Sequence, residues 1–282
     1  MRVWLSGGSG FVGRHLVEAF DDVLAPSHAE VDVTNAEAVR HSVAAFEPDV
    51  LVHAAILNDV QRLSREGWRG YADATRNVVE AADGAHVILI STDWVFDGTQ
   101  GPAREDTPPN PINLYGILKA ASELVVGDRG AIARISAVQG FHDAPRSQDA
   151  GFGYFVAALV RALRAGERFT VWEGPAVNGV ATPTLASDAA ELVRRIAEGR
   201  HAGIFHCCGG ESVDRRTLAL RTAEVFGLDA DLLEFGTAPP QPWPVPHDTR
   251  LDASATAAAL GVELPDLETQ LRRLERSMAW TT

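Results

Sequence analysis

The chain reads as an α/β protein, a Rossmann-type doubly wound parallel sheet followed by a smaller C-terminal α/β substrate domain. Three observations carry that expectation. Short apolar runs alternate with amphipathic segments through the first half of the chain. A glycine-rich turn, SGGSGFVG, joins the first run to the first amphipathic segment. The runs are nearly continuous rather than alternating, as strands covered by helices on both faces must be.

Taken in order, Arg2–Ser6 is a buried strand, and Phe11–Phe20 is a helix with Phe11, Val12, Leu16, Val17 and Phe20 on one side. Val23–Ala25 is a brief strand, followed by a helix near Ala36–Phe46. Asp49–Ala55 (DVLVHAA) is the next strand, a long helix runs through Thr75–Ala82, and His86–Thr92 (HVILIST) is the fourth strand. A loop rich in proline (Pro102, Pro108, Pro109, Pro111) leads into a helix carrying YGILK. Asn110 is its expected N-cap and Pro111 its first-turn proline. Further on, glycine and proline become frequent, and helices recur near Phe155–Ala165, Asp188–Glu198 and Arg216–Phe226. Near the end, Leu264, Leu267, Leu271, Leu274 and Met278 fall three or four apart. Such a stripe usually docks on the protein's own core; a homodimer seam is the less common alternative. On this pattern residues 1–138, with roughly 178–205, form the nucleotide-binding domain, and 139–177 with 206–282 the substrate domain.

Composition removes several classes of function. With 282 residues and 46% hydrophobic content the chain buries a substantial core. A net charge of −13 argues against general binding to nucleic acid or anionic membranes, which needs a basic footprint. No apolar run reaches the ~18 residues of a membrane span, and RVWLSGG passes from strand to turn with no leader. Cys207 and Cys208 are adjacent and cannot frame a disulfide network, so a reducing cytoplasm is expected. The triplet HCC from His206 has no second ligand cluster at usable spacing, which favours a buried strand end over a metal site.

Chemistry concentrates in four places. Gly7, Gly10 and Gly13 form G-x-x-G-x-x-G between a strand and a helix, the setting in which a diphosphate rests on a helix N-terminus. About 20 residues on, where an acidic ribose ligand is usual, the chain reads APSHAE. Ser27 and His28 there favour NADP(H) over NAD(H), while Asp32 and Val33 of VDVTN stand to flank an adenine or simply precede a helix cap. Thr92 ends the fourth strand, at the edge where open α/β sheets bind ligands, and can donate to a substrate oxygen. Last, Lys119 is the only lysine and follows Tyr115 by four residues. On a helix that spacing puts phenol and ammonium on one face. A phenol that ionises at about 10 must come down by ~2–3 pH units to work near neutrality, and an adjacent ammonium favours that.

The glycine motif, DVTN, LVHAA, ISTDWVFDG, REDTPPNPINLYGILKAASE and TPTLASD resemble, in that order, the extended short-chain dehydrogenase/reductases. Within them the likeness is to the dTDP-4-dehydrorhamnose reductase-like sugar-nucleotide reductases. The resemblance implies Thr92, Tyr115 and Lys119 as the catalytic triad. It implies a cofactor site of Gly7, Ser9, Gly10, Phe11, Val12, Gly13, Ser27, His28, Asp32, Val33, Ala54 and Ala55, together with Tyr115 and Lys119. Asp93, Trp94 and Ala137 fall at the sugar pocket, where the rhamnose enzymes carry STDYVF and RTSW. Tyr71 stands where family members commonly carry Asn. The implied activity is NAD(P)H-dependent reduction of a keto group on a nucleotide sugar, of the 4-keto-6-deoxy class. A redox-silent NADP-binding regulatory subunit and an NAD-retaining epimerase or dehydratase are the alternatives.

Overall fold

The computed structural model describes residues 1–56, 65–141 and 148–278. Strands β1 (Arg2–Ser6), β2 (Asp22–Leu24), β3 (Val50–His53), β4 (His86–Thr92) and β5 (Gly130–Ile135) join the later strand Gly203–Cys207 in one sheet. Their order is Gly203–Cys207, β5, β4, β3, β1, β2, and every pairing is parallel. Alternate residues of each strand reach opposite faces, and both faces are buried. Val3, Leu5, Val52, Ile88 and Ile90 belong to one core cluster, while Trp4, Leu51, Val87 and Leu89 belong to another. That is why the strands read as unbroken apolar runs.

Helices α1 (Phe11–Ala19), α2 (Ala36–Phe46), α3 (Arg65–Trp68), α4 (Ala74–Ala81) and α5 (Leu114–Val126) alternate with these strands. The expected long helix through 75–82 is α4, and a wide π turn, Arg69–Asp73, leads into it. The later helices are α6 (Phe155–Arg164), α7 (Ala186–Glu198), α8 (Arg215–Val225), α9 (Ser254–Leu260) and α10 (Leu267–Met278). Leu267, Leu271 and Leu274 are buried in the cluster that also holds Phe155, Leu159 and Leu218, so the terminal stripe docks on the protein's own core. His206 and Cys207 end the sheet's edge strand, fully buried, and Cys208 follows. The domain boundary expected near 205 falls inside that strand.

One cap differs from expectation. Past Pro111 the residues Ile112 and Asn113 stay outside the helix, and Asn113 caps α5, its side chain accepting from the Gly116 amide at 2.9 Å. Asn110 instead braces the preceding loop, accepting from the Asp97 amide at 3.0 Å. Asn113 also donates to the Pro244 carbonyl at 3.1 Å, tying α5 to the C-terminal region.

Helix α5 is held from beneath by a buried ion pair. Glu123 receives both Nε and Nη2 of Arg134 on β5, at 3.0 and 2.7 Å, and the Ser91 hydroxyl of β4 at 2.5 Å. Arg134 is fully buried and lies over the Phe96 ring at 5.0 Å. Removing one member of such a pair leaves a bare charge in the interior. Glu123→Ala is therefore expected to lower the unfolding free energy by about 3–5 kcal/mol, read from a shift in the urea midpoint.

Candidate active site

The sheet order reverses at β1, whose neighbours are β2 and β3, and a crevice opens there at the carboxyl ends of the strands. Gly7 leaves β1 with φ of +81°, in the left-handed region; a Cβ on it would lie 2.6 Å from the Ala55 amide nitrogen. A Cβ on Gly13 would lie 2.0 Å from the Gly7 carbonyl oxygen. The first turn of α1 can therefore sit directly on the loop only because both positions are glycine. Gly10 precedes α1 without any side-chain cap, so the amides of the first turn remain for a ligand. These residues fit the diphosphate of a dinucleotide.

The crevice, about 380 Å³, is lined by Gly7, Ser9, Gly10, His28, Asp32, Val33, Ala54 and Ala55 among others. Its floor is set by a buried contact of 2.6 Å between Ser6 Oγ and His53 Nδ1. Burial, helped by the nearby Lys119 charge, pulls the His53 imidazole down to about 3 and keeps it neutral. Asp32 stands on the wall with one oxygen accepting the Thr34 amide and hydroxyl at 2.9 and 2.8 Å. Capping of α2 falls to Asn35, which accepts from the Glu37 and Ala38 amides. The Val12 side chain packs against the core under the sheet, and Ser27, between the wall residues Pro26 and His28, is engaged by a neighbour. Both the amide and the hydroxyl of Ser27 donate to Glu30 at 2.8 Å, which holds that carboxyl below its usual range. Glu30 was visible in APSHAE, but only the turn geometry brings it back onto Ser27.

A second cleft of about 550 Å³ holds the other expected residues except Lys119, which is buried outside its lining. Thr92, Asp93, Trp94, Tyr115 and Ala137 line it, and Phe11 enters from α1, its ring 5.7 Å from that of Tyr154. Thr92 donates its hydroxyl to Asp93 at 3.0 Å and accepts from the Trp94 amide at 3.2 Å. Asp93 also accepts from Ser136 at 2.8 Å and Thr249 at 2.6 Å. Burial raises this carboxyl, and the three hydroxyls oppose the rise. Asp93 thus acts as the hub that orients Thr92, a role that no single motif announces because its partners come from β4, the residue after β5 and the C-terminal region. Trp94 sets its ring edge-on to Tyr115, with centroids 6.1 Å apart. Phe152, Tyr154 and Trp243 complete an aromatic wall that sequence reasoning did not single out.

Tyr115 and Lys119 share a face of α5, but their electrostatics differ from expectation. Burial pushes the Tyr115 phenol up to about 12; the Thr92 hydroxyl pulls it back and the Asp93 charge adds to the rise. The lysine does not govern this phenol, because Lys119 Nζ turns to the sheet and donates to the Ile90 carbonyl at 2.8 Å. It also lies over the Tyr71 ring, 5.6 Å from the centroid. Burial brings the ammonium down to about 8, with Glu123 one turn on holding it up. At neutral pH the site therefore presents a protonated phenol beside an oriented hydroxyl, and a buried cation behind them. That combination can protonate a carbonyl oxygen.

Such a fold and such a site define an extended short-chain dehydrogenase/reductase. The chain belongs to the RmlD substrate binding domain family, whose model matches residues 1–279. It is similar to the dTDP-4-dehydrorhamnose reductase of Streptomyces griseus, with 31% identity over 80% of this chain and 77% of that one. It is also similar to methionine adenosyltransferase 2 subunit beta of Bos taurus, 28% identical over 82% of this chain and 74% of the relative. Among solved structures, the dTDP-4-dehydrorhamnose reductase of Bacillus anthracis in complex with NADP superposes with a TM-score of 0.83. The two are 22% identical, and the match covers 98% of this chain and 99% of that chain, a likeness of fold.

Lys119 is buried, its ammonium on the Ile90 carbonyl of β4 and over the Tyr71 ring of the π turn. A planar guanidinium is broader and carries its charge further along the side chain. Lys119→Arg is expected to lower kcat/KM by at least about ten-fold and to weaken cofactor binding despite the retained charge. Steady-state kinetics and fluorescence titration of NADPH measure both.

Proposed function

We propose that this protein is an NAD(P)H-dependent reductase of a keto group on a nucleotide-activated sugar, of the 4-keto-6-deoxy class. The carrying observation is that Thr92 and Tyr115 line an aromatic-walled cleft, with Lys119 buried one turn further along α5, while the glycine cradle lines the other crevice. When bound, the nicotinamide supplies the hydride that goes to the carbonyl carbon. Tyr115 gives its phenolic proton to the carbonyl oxygen and is left as tyrosinate, which recovers a proton from solvent. Thr92, aimed by Asp93, steadies that oxygen and the phenol. Lys119 would hold the cofactor's ribose and keeps a positive charge behind the tyrosinate. Its charge is present below about pH 8 and lost as pH rises through that value, so reduction should weaken on the alkaline side.

The likeness to the Bos taurus subunit favours a second reading, an NADP-binding regulatory subunit that performs no redox chemistry. Stoichiometric NADPH oxidation with a nucleotide 4-ketosugar supports the first reading; NADPH binding that alters another enzyme without oxidation supports the second. An NAD-retaining epimerase would consume none.

Tyr115→Phe removes the proton donor and leaves the ring in place. Turnover should fall at least ~100-fold, the usual worth of general acid catalysis, with NADPH affinity within a few-fold of wild type. Unchanged NADPH oxidation would exclude Tyr115 as the acid.

For the cofactor we propose NADP(H) over NAD(H), with His28 on the crevice wall near the 2′-phosphate and no carboxylate at the end of β2. Glu30 works against this preference, since its charge sits on Ser27 where a phosphate would approach. Glu30→Gln should therefore raise the NADPH-to-NADH ratio of kcat/KM several-fold, and more at low ionic strength, where exposed charges are less screened.

A further inference from the structure

We propose that Tyr71 is a positioning residue for Lys119, the face of its ring holding the buried ammonium where an amide side chain is the family's usual occupant. The inference rests on the proposed reductase reading for its catalytic consequence, but its physical content concerns only this chain's own residues.

Lys119 is 4% exposed, and one of its three N–H groups is satisfied by Ile90 of β4. The groups around it are defined by the elements that enclose it. His53 of β3 is neutral. On α5 itself, Tyr115 lies one turn before and Glu123 one turn after, the latter already taken by Arg134 and Ser91. Asp93 lies beyond Tyr115 and is taken up by three hydroxyls. Among the described residues, no carboxylate pairs directly with Nζ. Tyr71 also reaches it, 2% exposed, with its face to the ammonium and its ring roughly perpendicular to that of Tyr115 at a centroid distance of 6.3 Å.

The backbone that carries Tyr71 supports the same reading. It sits in the π turn Arg69–Asp73, which leads directly into α4, and Thr75 donates its hydroxyl back to the Tyr71 carbonyl at 2.7 Å. Single π turns re-aim a side chain within an otherwise helical run and recur at functional sites. An aromatic face attracts a cation through its quadrupole, and more strongly where water is excluded. In a space this dry the contact should raise the ammonium's ionisation by roughly one pH unit, about ten-fold in the charged fraction above the midpoint. Tyr71 would thereby keep Lys119 charged through neutral pH while excluding water and leaving its other N–H groups for a ligand.

Because Lys119 is the only lysine in 282 residues, the apoprotein grown on 13C-labelled lysine offers a single side-chain ammonium to titrate by NMR. Wild type should titrate below the usual lysine range, since burial lowers this ammonium. Tyr71→Phe keeps the face and should titrate within a few tenths of wild type. Tyr71→Leu removes the face and should titrate about one unit lower. If the leucine variant does not fold, a pentafluorinated phenylalanine at position 71 keeps the shape while reversing the quadrupole, and should show the same fall. The alkaline limb of kcat should move with the titration in each variant, while kcat at pH 6 stays within about two-fold. An unmoved midpoint in the leucine or fluorinated protein overturns the proposal. So does a fall in Tyr71→Phe as large as that in Tyr71→Leu, which would assign the effect to the hydroxyl. Absence of NADPH oxidation by wild type would sink the reductase reading and leave the titration result standing.

Discussion

The contact between Glu123 and Arg134 decides where the reactive groups of this protein stand. Tyr115, Lys119 and Glu123 follow one another at intervals of four on α5, so they share a face. Glu123 is tied to β4 through Ser91 and to β5 through Arg134, which fixes both the height and the rotation of the helix over the sheet. A one-residue slip would turn the face by about 100° and carry the phenol away from Thr92. Two apolar residues of similar size could hold the helix as firmly, since desolvating two charges cancels much of what their attraction returns. Two directional bonds from a guanidinium define a rotation that apolar contact does not. Asn113 at the helix start completes the arrangement by binding Pro244, so the same helix is also referenced to the C-terminal region.

Electrostatics at the site follow from burial more than from pairing. Tyr115, Lys119, Asp93 and His53 all face the cost of holding charge away from water, and each moves toward its neutral form. The outcome depends on what compensates. Among the described residues His53 has the Ser6 hydroxyl at its ring and a cation nearby, and it stays neutral. Lys119 has a carbonyl, an aromatic face and Glu123 at one turn's distance, and it keeps its charge at neutral pH. Asp93 has three hydroxyl donors, the largest compensation in the group. A phenol that remains protonated suits a reaction in which it must first give a proton away.

Much of this was legible in the sequence where a residue's role is local. Strand and helix order followed from periodicity, and Gly7 and Gly13 followed from the close approaches that a Cβ would block. Roles that depend on distant partners were not legible. Nothing in ISTDWVFDG says that Thr249 and Ser136 will close on Asp93, because they lie 156 and 43 residues away. The spacing of Tyr115 and Lys119 suggested a direct electrostatic pair; the sheet carbonyl of Ile90 and the ring of Tyr71 instead compete for the ammonium. The cap at Asn113 rather than Asn110 has a similar origin, since a proline favours a helix start only where the next residues also turn. Here Ile112 and Asn113 stay outside the helix.

The second cleft carries its own record of constraint. Ala137 and Tyr154 both line it with positive φ, 43° and 60°, an uncommon conformation for residues with a Cβ. Strain of this kind persists where surrounding structure dictates the backbone, and it concentrates at sites that shape a ligand. At 137 a small side chain is the easiest to hold in that conformation, and the rhamnose enzymes that this chain resembles place a Trp there instead. The aromatic surface has not been lost from the cleft. It is supplied from other directions, by Phe152, Tyr154 and Trp243, with Trp94 edge-on to the reactive phenol. Flat apolar walls grip the faces of sugar and base rings, whereas the Thr92–Asp93–Tyr115 cluster reads one oxygen. Moving the aromatic groups while keeping the cluster changes which ring is held without changing what happens to its carbonyl. On the proposed reading, the identity of the sugar resides in the wall, and the reaction in the floor.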